Sequence, residues 1–483
     1  MLNFRIVARA ISQVLILEGF LFLLTAGISL LTDERQTAAV FLYSALITLV
    51  TGILVFTPLR NTEKTFGTRE GYIISLFTFL MFSLFGTLPF LLGHITGSFA
   101  DALFESISGF TTTNATIFRD IESLPKGILF WRCLTQWIGG FVTISLSLYV
   151  LPISRSLNIQ LPTNEFSGQT ADKILPKTMD IAKRLATVYI SLTLIETVLL
   201  MLGRMSLFDA FCHSMSTLST GGFSTRNNGI AAFTSPWIRT VITLFMFLAA
   251  TNISLFYFAA KRNYRKIFQN DELKIYTVIV LTISVVVSVI LFFHQKSGPG
   301  GAVSDGFFHV ISILTTTGYY TTDYSHWGSF PVLIIIILMF IGGMTGSASG
   351  GIKITRLIIV IKNSRSVIRR LVHPSAYLPV RVEHRIIPEN IVINLLVFTA
   401  IYLIMACLGT LVISMMDYDI LTSLSTSISM LGNIGPGVGT FGPFSSFTEV
   451  SNTGKLLLSG LMLTGRMELL AVMVFFTRSF YKK

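Results

Sequence analysis

Long apolar runs follow one another along almost the whole chain, separated by short polar segments. Ten of these runs approach the roughly 20 residues that a membrane-crossing helix requires. They lie at 12–31, 38–56, 72–93, 128–152, 185–203, 237–260, 275–294, 331–352, 391–415 and 455–477. Four shorter apolar stretches, at 102–112, 210–219, 306–315 and 420–431, lie between these runs and are too short to cross. The pattern predicts ten transmembrane helices and four re-entrant segments.

Composition agrees with this pattern. Of the 483 residues, 52% are hydrophobic and only 12% are charged, whereas soluble domains carry about 25% charged residues. This excludes an ordinary soluble enzyme and a disordered chain. The predicted fold class is an all-α polytopic membrane protein.

The positive charges are distributed unevenly between the two predicted sides of the membrane. With the N-terminus inside, the inner segments hold 26 Lys and Arg residues and the outer segments hold six. Because cytoplasmic loops are enriched in these residues, both termini are predicted to be cytoplasmic. All four short apolar stretches then enter from the outer side.

The four short stretches resemble one another in sequence. A segment that starts with Ser begins near the end of each stretch and continues beyond it. These segments read SGFTTTNAT (108–116), STLSTGGFS (216–224), SILTTTGYY (312–320) and SMLGNIGPG (429–437). A sequence pattern that recurs about every hundred residues indicates a repeated structural module. We therefore divide the chain into two N-terminal helices at 1–71 and pore repeats at 72–184, 185–274, 275–389 and 390–483.

An Asp stands near the start of each short helix, at Asp101, Asp209, Asp305 and Asp419. Asp is a favoured N-cap, because its side chain accepts hydrogen bonds from the first backbone N–H groups. We predict these four residues to be pore-helix caps. Each helix then directs its C-terminus, with its partial negative charge, into the membrane. Four such ends around one axis would stabilise a cation.

The residues that follow each short helix are rich in Thr, Ser, Gly and Asn. Irregular backbone at membrane depth is tolerated where it is buried in protein or lines a water-filled cavity, and rings of carbonyl groups there can replace the hydration shell of a cation. A Gly at the seventh position allows the positive φ that turns carbonyls towards one axis. The predicted filter residues are Thr111, Thr112, Thr113, Asn114, Ser219, Thr220, Gly221, Gly222, Thr315, Thr316, Thr317, Gly318, Gly432, Asn433, Ile434 and Gly435.

Two further features are candidates for a gate. The first is a run of five glycines within ten residues, Gly342, Gly343, Gly346, Gly350 and Gly351. Each interior Gly weakens a helix by about 1 kcal/mol relative to Ala, which favours an unwound intramembrane loop, although small residues also allow close helix packing. The second is Arg466 in the last apolar run, because a charge at that depth is costly and faces a cavity or a partner. It is either an electrostatic barrier or the partner of Glu196 or Glu468.

Several motifs resemble the Trk/Ktr/HKT superfamily of potassium transporters. The matches are STGGFSTRN (219–227), TTTGY (315–319), LGNIGPGVG (431–439), GGMTGSASGGIKITR (342–356) and the linker HPSAYLPVRV (373–382). The two extra N-terminal runs favour the Trk type. The resemblance implies four membrane–pore–membrane units around one pore for K⁺, with Arg466 on the path below the filter. It also implies a homodimer in the bacterial inner membrane and a cytoplasmic TrkA-type ring, on which any nucleotide would bind.

One filter residue departs from the family pattern. Where the family expects Gly in the first filter segment, this chain has Asn114. Asn is the non-Gly residue that most readily takes left-handed geometry, and its amide could occlude the pore, form a hydrogen bond or coordinate the ion. In plant members of the superfamily, Ser at this position accompanies sodium permeation. A Na⁺-permeable or Na⁺-coupled transporter is therefore an alternative, and an intramembrane enzyme is a remote one.

Overall fold

The computed structural model describes residues 3–62, 67–149, 174–294, 298–376, 378–382, 385–467 and 469. The first half contains α1 (Phe4–Leu31), α2 (Arg35–Leu59), α3 (Thr68–Phe85), α4 (Leu88–Leu92), α5 (Phe99–Phe110), α6 (Lys126–Tyr149), α7 (Ile174–Leu202), α8 (Leu207–Leu218), α9 (Pro236–Ala249), α10 (Ile253–Ala260) and α11 (Tyr264–Phe268). The second half contains α12 (Asp271–His294), α13 (Pro299–Leu314), α14 (Ser329–Met339), α15 (Ile354–Val372), α16 (Glu389–Ser414), α17 (Ile420–Gly432) and α18 (Asn452–Arg466).

Six helical stretches of the described chain are long and apolar enough to cross a membrane. They are Phe4–Leu31, Arg35–Leu59, Arg69–Leu92, Ala182–Leu202, Asp271–His294 and Glu389–Ser414. Large apolar side chains on their outer faces, such as Leu54 and Phe293, are exposed by 69% and 78%. Soluble proteins rarely leave such surfaces uncovered, so these faces suit lipid. The predicted spans at 12–31, 38–56, 72–93, 185–203, 275–294 and 391–415 are confirmed as helices.

Two predicted spans are wrong as continuous helices. The run at 237–260 is split into α9 and α10, whose axes differ by 100°. The side chain of Asn252 caps α10 by accepting the N–H of Ser254 at 2.9 Å, and the buried carbonyl of Ala250 accepts the N–H of Met344 at 2.8 Å. The run at 331–352 stops being helical at Met339. The ends of the runs at 128–152 and 455–477, and most of the predicted cytoplasmic segment 153–184, lie outside the described residues.

The helices after α2 follow one order four times over. An outer helix (α3, α7, α12 or α16) precedes a short pore helix (α5, α8, α13 or α17), and an inner helix (α6, α9, α14 or α18) follows it. Helices α1 and α2 pack on each other and against the first repeat. The first and fourth repeats share a core in which the rings of Phe104 and Phe447 are 5.4 Å apart, so the repeats close on themselves.

Between α15 and α16 the chain forms a small antiparallel pair of two-residue strands, β1 (Arg381–Val382) and β2 (Arg385–Ile386). Nearby, Ile359, Val380, Ile387 and Leu395 form a separate buried cluster. Apart from this pair and one isolated bridge within the glycine-rich loop, the regular structure of the described residues is helical, as predicted.

Candidate cation filter and gate

The starts of the pore helices correct the predicted caps. Ser98 and Ser206 are the N-caps of α5 and α8, and each accepts the N–H of Asp101 or Asp209 at 3.1 Å. Each Asp accepts the hydroxyl of its Ser at 2.9 Å. Both Asp residues lie in the first turn, where a negative charge still complements the helix dipole.

The third and fourth pore helices begin differently from each other. Helix α13 starts at Pro299, a residue suited to the first position, so Asp305 lies inside the helix and does not cap it. Asp419 is the N-cap of α17 and accepts the N–H of Thr422 at 3.1 Å. The predicted cap role is therefore confirmed for Asp419 and wrong for Asp101, Asp209 and Asp305.

All four pore helices end in the same turn. In each Ser-initiated segment, the N–H of the sixth residue donates to the carbonyl of the first. In the first segment, Thr113 donates to Ser108 at 2.8 Å, and in the other three segments the corresponding distances are 2.8, 2.9 and 2.9 Å. The fifth residue takes a positive φ each time: 53° at Thr112, 53° at Thr220, 57° at Thr316 and 57° at Asn433. A left-handed residue just after a helix is a common C-terminal motif. This left-handed residue was not expected, because three of the four residues are β-branched and disfavour that geometry.

The seventh residues of the four Ser-initiated segments are Asn114, Gly222, Gly318 and Gly435, and they lie where neighbouring segments touch. Gly222, Gly318 and Gly435 have the expected positive φ, whereas Asn114 does not. A non-Gly residue gains about 1–2 kcal/mol by avoiding left-handed geometry, which agrees with the different backbone conformation of Asn114.

Close approaches give the order of the segments around the axis. A methyl group added at Gly222 would lie 2.9 Å from the Cβ of Asn114 and would overlap the carbonyl oxygen of Thr317. One added at Gly318 would overlap the carbonyl oxygen of Ile434, and one at Gly435 would overlap the backbone of Asn114. The first segment thus touches the second and fourth, and the third also touches the second and fourth. The four predicted filter segments therefore form a closed circle of contacts in chain order.

Two amides of the filter reach other segments. The Nδ2 of Asn114 donates to the carbonyl oxygen of Gly318 at 2.9 Å. The Nδ2 of Asn433 donates to the Oγ1 of Thr113 at 3.0 Å and to the carbonyl of Met462 at 2.9 Å.

Side chains behind the circle hold the segments in place. Gln136 on α6 donates to the carbonyl of Gly221 at 2.7 Å and accepts the N–H of Phe223 at 3.0 Å. Glu105 forms a buried ion pair with Arg132 at 2.7 Å and accepts the N–H of Ile117 at 3.0 Å. The role of Gln136 was not predicted, because nothing local in the sequence links it to a segment 85 residues away.

The glycine-rich loop lies directly beneath the filter. Residues 340–353 are not helical, which confirms the predicted unwinding of 342–351. The N–H of Gly350 donates to the Oγ1 of Thr316 at 2.7 Å, and a methyl group at Gly350 would overlap the carbonyl oxygen of Gly432. The loop therefore packs against the third and fourth filter segments from the inner side.

Three charged side chains hold this loop. The Nη1 of Arg466 donates to the carbonyl of Ala348 at 2.8 Å, and the Nζ of Lys353 donates to the Oγ of Ser349 at 3.0 Å. Glu272, on the outer helix of the third repeat, accepts the N–H groups of Thr345 at 2.8 Å and Thr355 at 3.2 Å. Glu272 connects the loop to the start of α15. This role of Glu272 could not be predicted locally, since its hydrogen-bond partners lie 73 and 83 positions away.

Arg466 is buried at the edge of an inner cavity of about 60 Å³. Its side chain shares this cavity with Ser349, Lys353 and Tyr402. Within the described residues, its Nε and Nη2 have no hydrogen-bond partner, and neither do the carboxylate oxygens of Glu196. The alternative of an ion pair with Glu196 is therefore wrong for this structure, and Glu468 lies outside the described residues.

Comparisons with known proteins agree on one kind of molecule. Residues 37–481 match the family model TrkH, described as a cation transport protein. The chain is 30% identical over 486 residues to the Trk system potassium uptake protein TrkH of Escherichia coli (strain K12), and the match covers 100% of both chains. It is 33% identical over 418 residues to the Trk system potassium uptake protein TrkG of the same organism, which covers 86% of each. The crystal structure of the potassium transporter TrkH from Vibrio parahaemolyticus matches with a TM-score of 0.90 at 29% identity, covering 100% of both chains.

Proposed function

Because this chain belongs to the TrkH family of cation transport proteins, we propose that it takes up potassium through the circle of four filter segments. The observation that carries the proposal is the closure of that circle, in which each segment touches two neighbours. Backbone carbonyl and hydroxyl oxygens of the sixteen filter residues would replace the hydration shell of K⁺. The C-terminal ends of the four pore helices add a partial negative charge at the same place.

The inner side of this pathway is where we propose the gate. The loop at 342–351 lies against the filter base, so its movement would open or close the inner exit for a cation. Arg466 holds the loop through Ala348 and places a positive charge beside the route. Such a charge raises an electrostatic barrier to a cation in a low-dielectric site.

The setting of the protein follows from its relatives and its charge distribution. The relatives are named as parts of a Trk system, so we propose a homodimer that works with a cytoplasmic TrkA-type nucleotide-binding ring. The asymmetry of 26 inner against six outer Lys and Arg residues supports cytoplasmic termini in a bacterial inner membrane. Uptake would draw on the membrane potential, worth about 2.3 kcal/mol per charge per 100 mV. We also propose the division predicted from the sequence, with two N-terminal helices at 1–71 and pore repeats at 72–184, 185–274, 275–389 and 390–483.

A Na⁺-permeable or Na⁺-coupled transporter is the second candidate. The observation that favours it is the Asn114 amide, which makes the first filter segment unlike the other three. The intramembrane enzyme has less support, because the named relatives are all transport proteins.

Cation flux into proteoliposomes tests the proposal. We expect K⁺ and Rb⁺ to enter faster than Na⁺ and Li⁺ when the four ions are compared side by side. Gly318→Ala should abolish this flux, because the added methyl would overlap the carbonyl of Ile434 at a residue with φ of 75°. Gly460→Ala is the matched control, since a methyl there meets nothing within 4 Å. Equal flux of all four ions, or unchanged flux in Gly318→Ala, would contradict the proposal.

A further inference from the structure

The Asn114 amide reaches across the filter circle. The segments follow one another in chain order around the axis, so the first segment lies opposite the third. The side chain of Asn114 lies beside Gly222 of the second segment, and its backbone lies beside Gly435 of the fourth. The side chain of Asn114 nevertheless bonds Gly318 of the third segment at 2.9 Å. The bond therefore spans the outer end of the circle.

We propose that this amide is a tethered competitor for the outermost cation position of the filter. The inference rests on the proposed function, because it concerns how the transported cation enters the same filter. The carbonyl of Gly318 is among the oxygens that would coordinate an entering ion. An N–H donor, whose hydrogen carries partial positive charge, occupies a lone pair of that carbonyl and takes the place of the ion.

The surroundings of Asn114 allow the amide to be displaced. The residue is only partly buried, and it lines an outer cavity together with Gly222, Tyr319 and Pro436. A released amide can therefore turn towards the outer water and form hydrogen bonds there. Gly222 leaves space for the Cβ and Cγ of Asn114 because it has no side chain of its own. The exchange of amide for cation then needs no movement of the backbone.

Competition of this kind has a defined kinetic consequence. A cation must replace the amide before it can bind, so the half-saturating cation concentration is raised while the flux at saturation is little changed. Removing the amide should lower the half-saturating Rb⁺ concentration by about three- to tenfold, the range that corresponds to one net hydrogen bond.

The experiment measures Rb⁺ uptake into proteoliposomes over a range of Rb⁺ concentrations for the wild type, Asn114→Gly and Asn114→Ala. Both variants remove the N–H donor to Gly318 without adding a charge, and the Ala variant keeps the Cβ. We expect a lower half-saturating concentration in both. Asn228→Gly is the matched control, since Asn228 is exposed in the outer loop after the second filter segment, and it should behave as the wild type.

A second readout does not depend on transport. Rb⁺ that binds the folded protein raises its thermal unfolding temperature, and the Rb⁺ concentration needed for half of this rise should fall in the same two variants. An unchanged or higher concentration in both assays would overturn the inference. A wild type that takes up no Rb⁺ would instead overturn the proposed function, so the two failures can be told apart.

Discussion

Arg466 and Glu272 hold the glycine-rich loop with opposite charges and from different repeats. Arg466 donates to the loop carbonyl of Ala348, and Glu272 accepts two backbone N–H groups, one within the loop and one just beyond it. Neither side chain acts on the filter directly. In the proposed gate, both would hold the loop against the filter, so their effects on flux can be separated from effects on selectivity.

Arg466→Ala should raise Rb⁺ flux by about tenfold, which corresponds to a barrier lowered by about 1.4 kcal/mol. The substitution removes both the positive charge at the inner cavity and the bond to Ala348. Arg466→Lys keeps the charge and should stay close to the wild type. Flux that is unchanged or reduced in the Ala variant would rule out the barrier.

Glu272→Ala should also raise flux, but through loss of loop positioning. Two buried N–H groups would lose their acceptor, at a cost of about 1–3 kcal/mol each, so the free energy of unfolding should fall as well. Glu272→Gln keeps an acceptor oxygen and should show a smaller change in both measurements. Thermal unfolding and Rb⁺ uptake of the three proteins check this, and a destabilised Ala variant with wild-type flux per folded molecule would contradict the role.

At the scale of elements, the pore helices show how residues of similar type take different roles. Asp419 caps its helix, whereas Asp101 and Asp209 stand behind a Ser that does so. Asp was the predicted N-cap because an Asp occurs near the start of the pore helix in all four repeats. The serines at 98 and 206, each four residues before its apolar stretch, fit the N-cap preference equally well, and only the backbone geometry distinguishes Ser from Asp as the cap.

Ser206→Ala should therefore lower the free energy of unfolding by about 1 kcal/mol, the usual cost of a lost N-cap. Asp305→Asn should change it by less than about 0.5 kcal/mol, because Asp305 caps nothing and the amide oxygen can still accept from Thr321. Denaturation of both variants in the same detergent gives the comparison. A larger loss in Asp305→Asn than in Ser206→Ala would contradict this assignment.

The two broken inner helices show how far the sequence could predict the elements. Five glycines between 342 and 351 weaken helix locally, and the unwinding there was predicted. The break at 250–252 was not, because the run at 237–260 is apolar and contains no interior Gly or Pro. The break is accompanied by the local Asn252 cap and by a hydrogen bond between Ala250 and Met344. The second of these joins residues far apart in the chain and leaves no local pattern.

At the scale of the whole molecule, the closing contact joins the first and fourth repeats. The Nζ of Lys455 lies 2.6 Å from the Oδ1 of Asp101, and both side chains are largely buried. The same nitrogen donates to the carbonyl of Thr448 at 2.9 Å. The filter residues could be predicted from repeated local sequence, whereas this junction could not, because its members are 354 residues apart.

Lys455→Met should destabilise the protein by about 1–3 kcal/mol, because it leaves the Asp101 carboxylate without its partner. The double variant Asp101→Asn with Lys455→Met should lose less than the sum of the two single variants. The exposed pair of Arg119 and Glu449 also joins these repeats, and Glu449→Gln should cost no more than about 1 kcal/mol. Additive losses at Asp101 and Lys455 would show that the pair does not couple the repeats.

The hydrogen bond from the Asn114 amide to Gly318 also explains why a single polypeptide suits this pore. Four identical subunits would bring four copies of the same carboxamide to the axis, where they would crowd one another and leave no route inwards. In a single chain each repeat can differ from the others, so Asn114 can stand opposite a glycine. The entrance thereby loses its rotational symmetry, and evolution can adjust ion affinity by altering one codon while three quarters of the coordination sphere stay untouched.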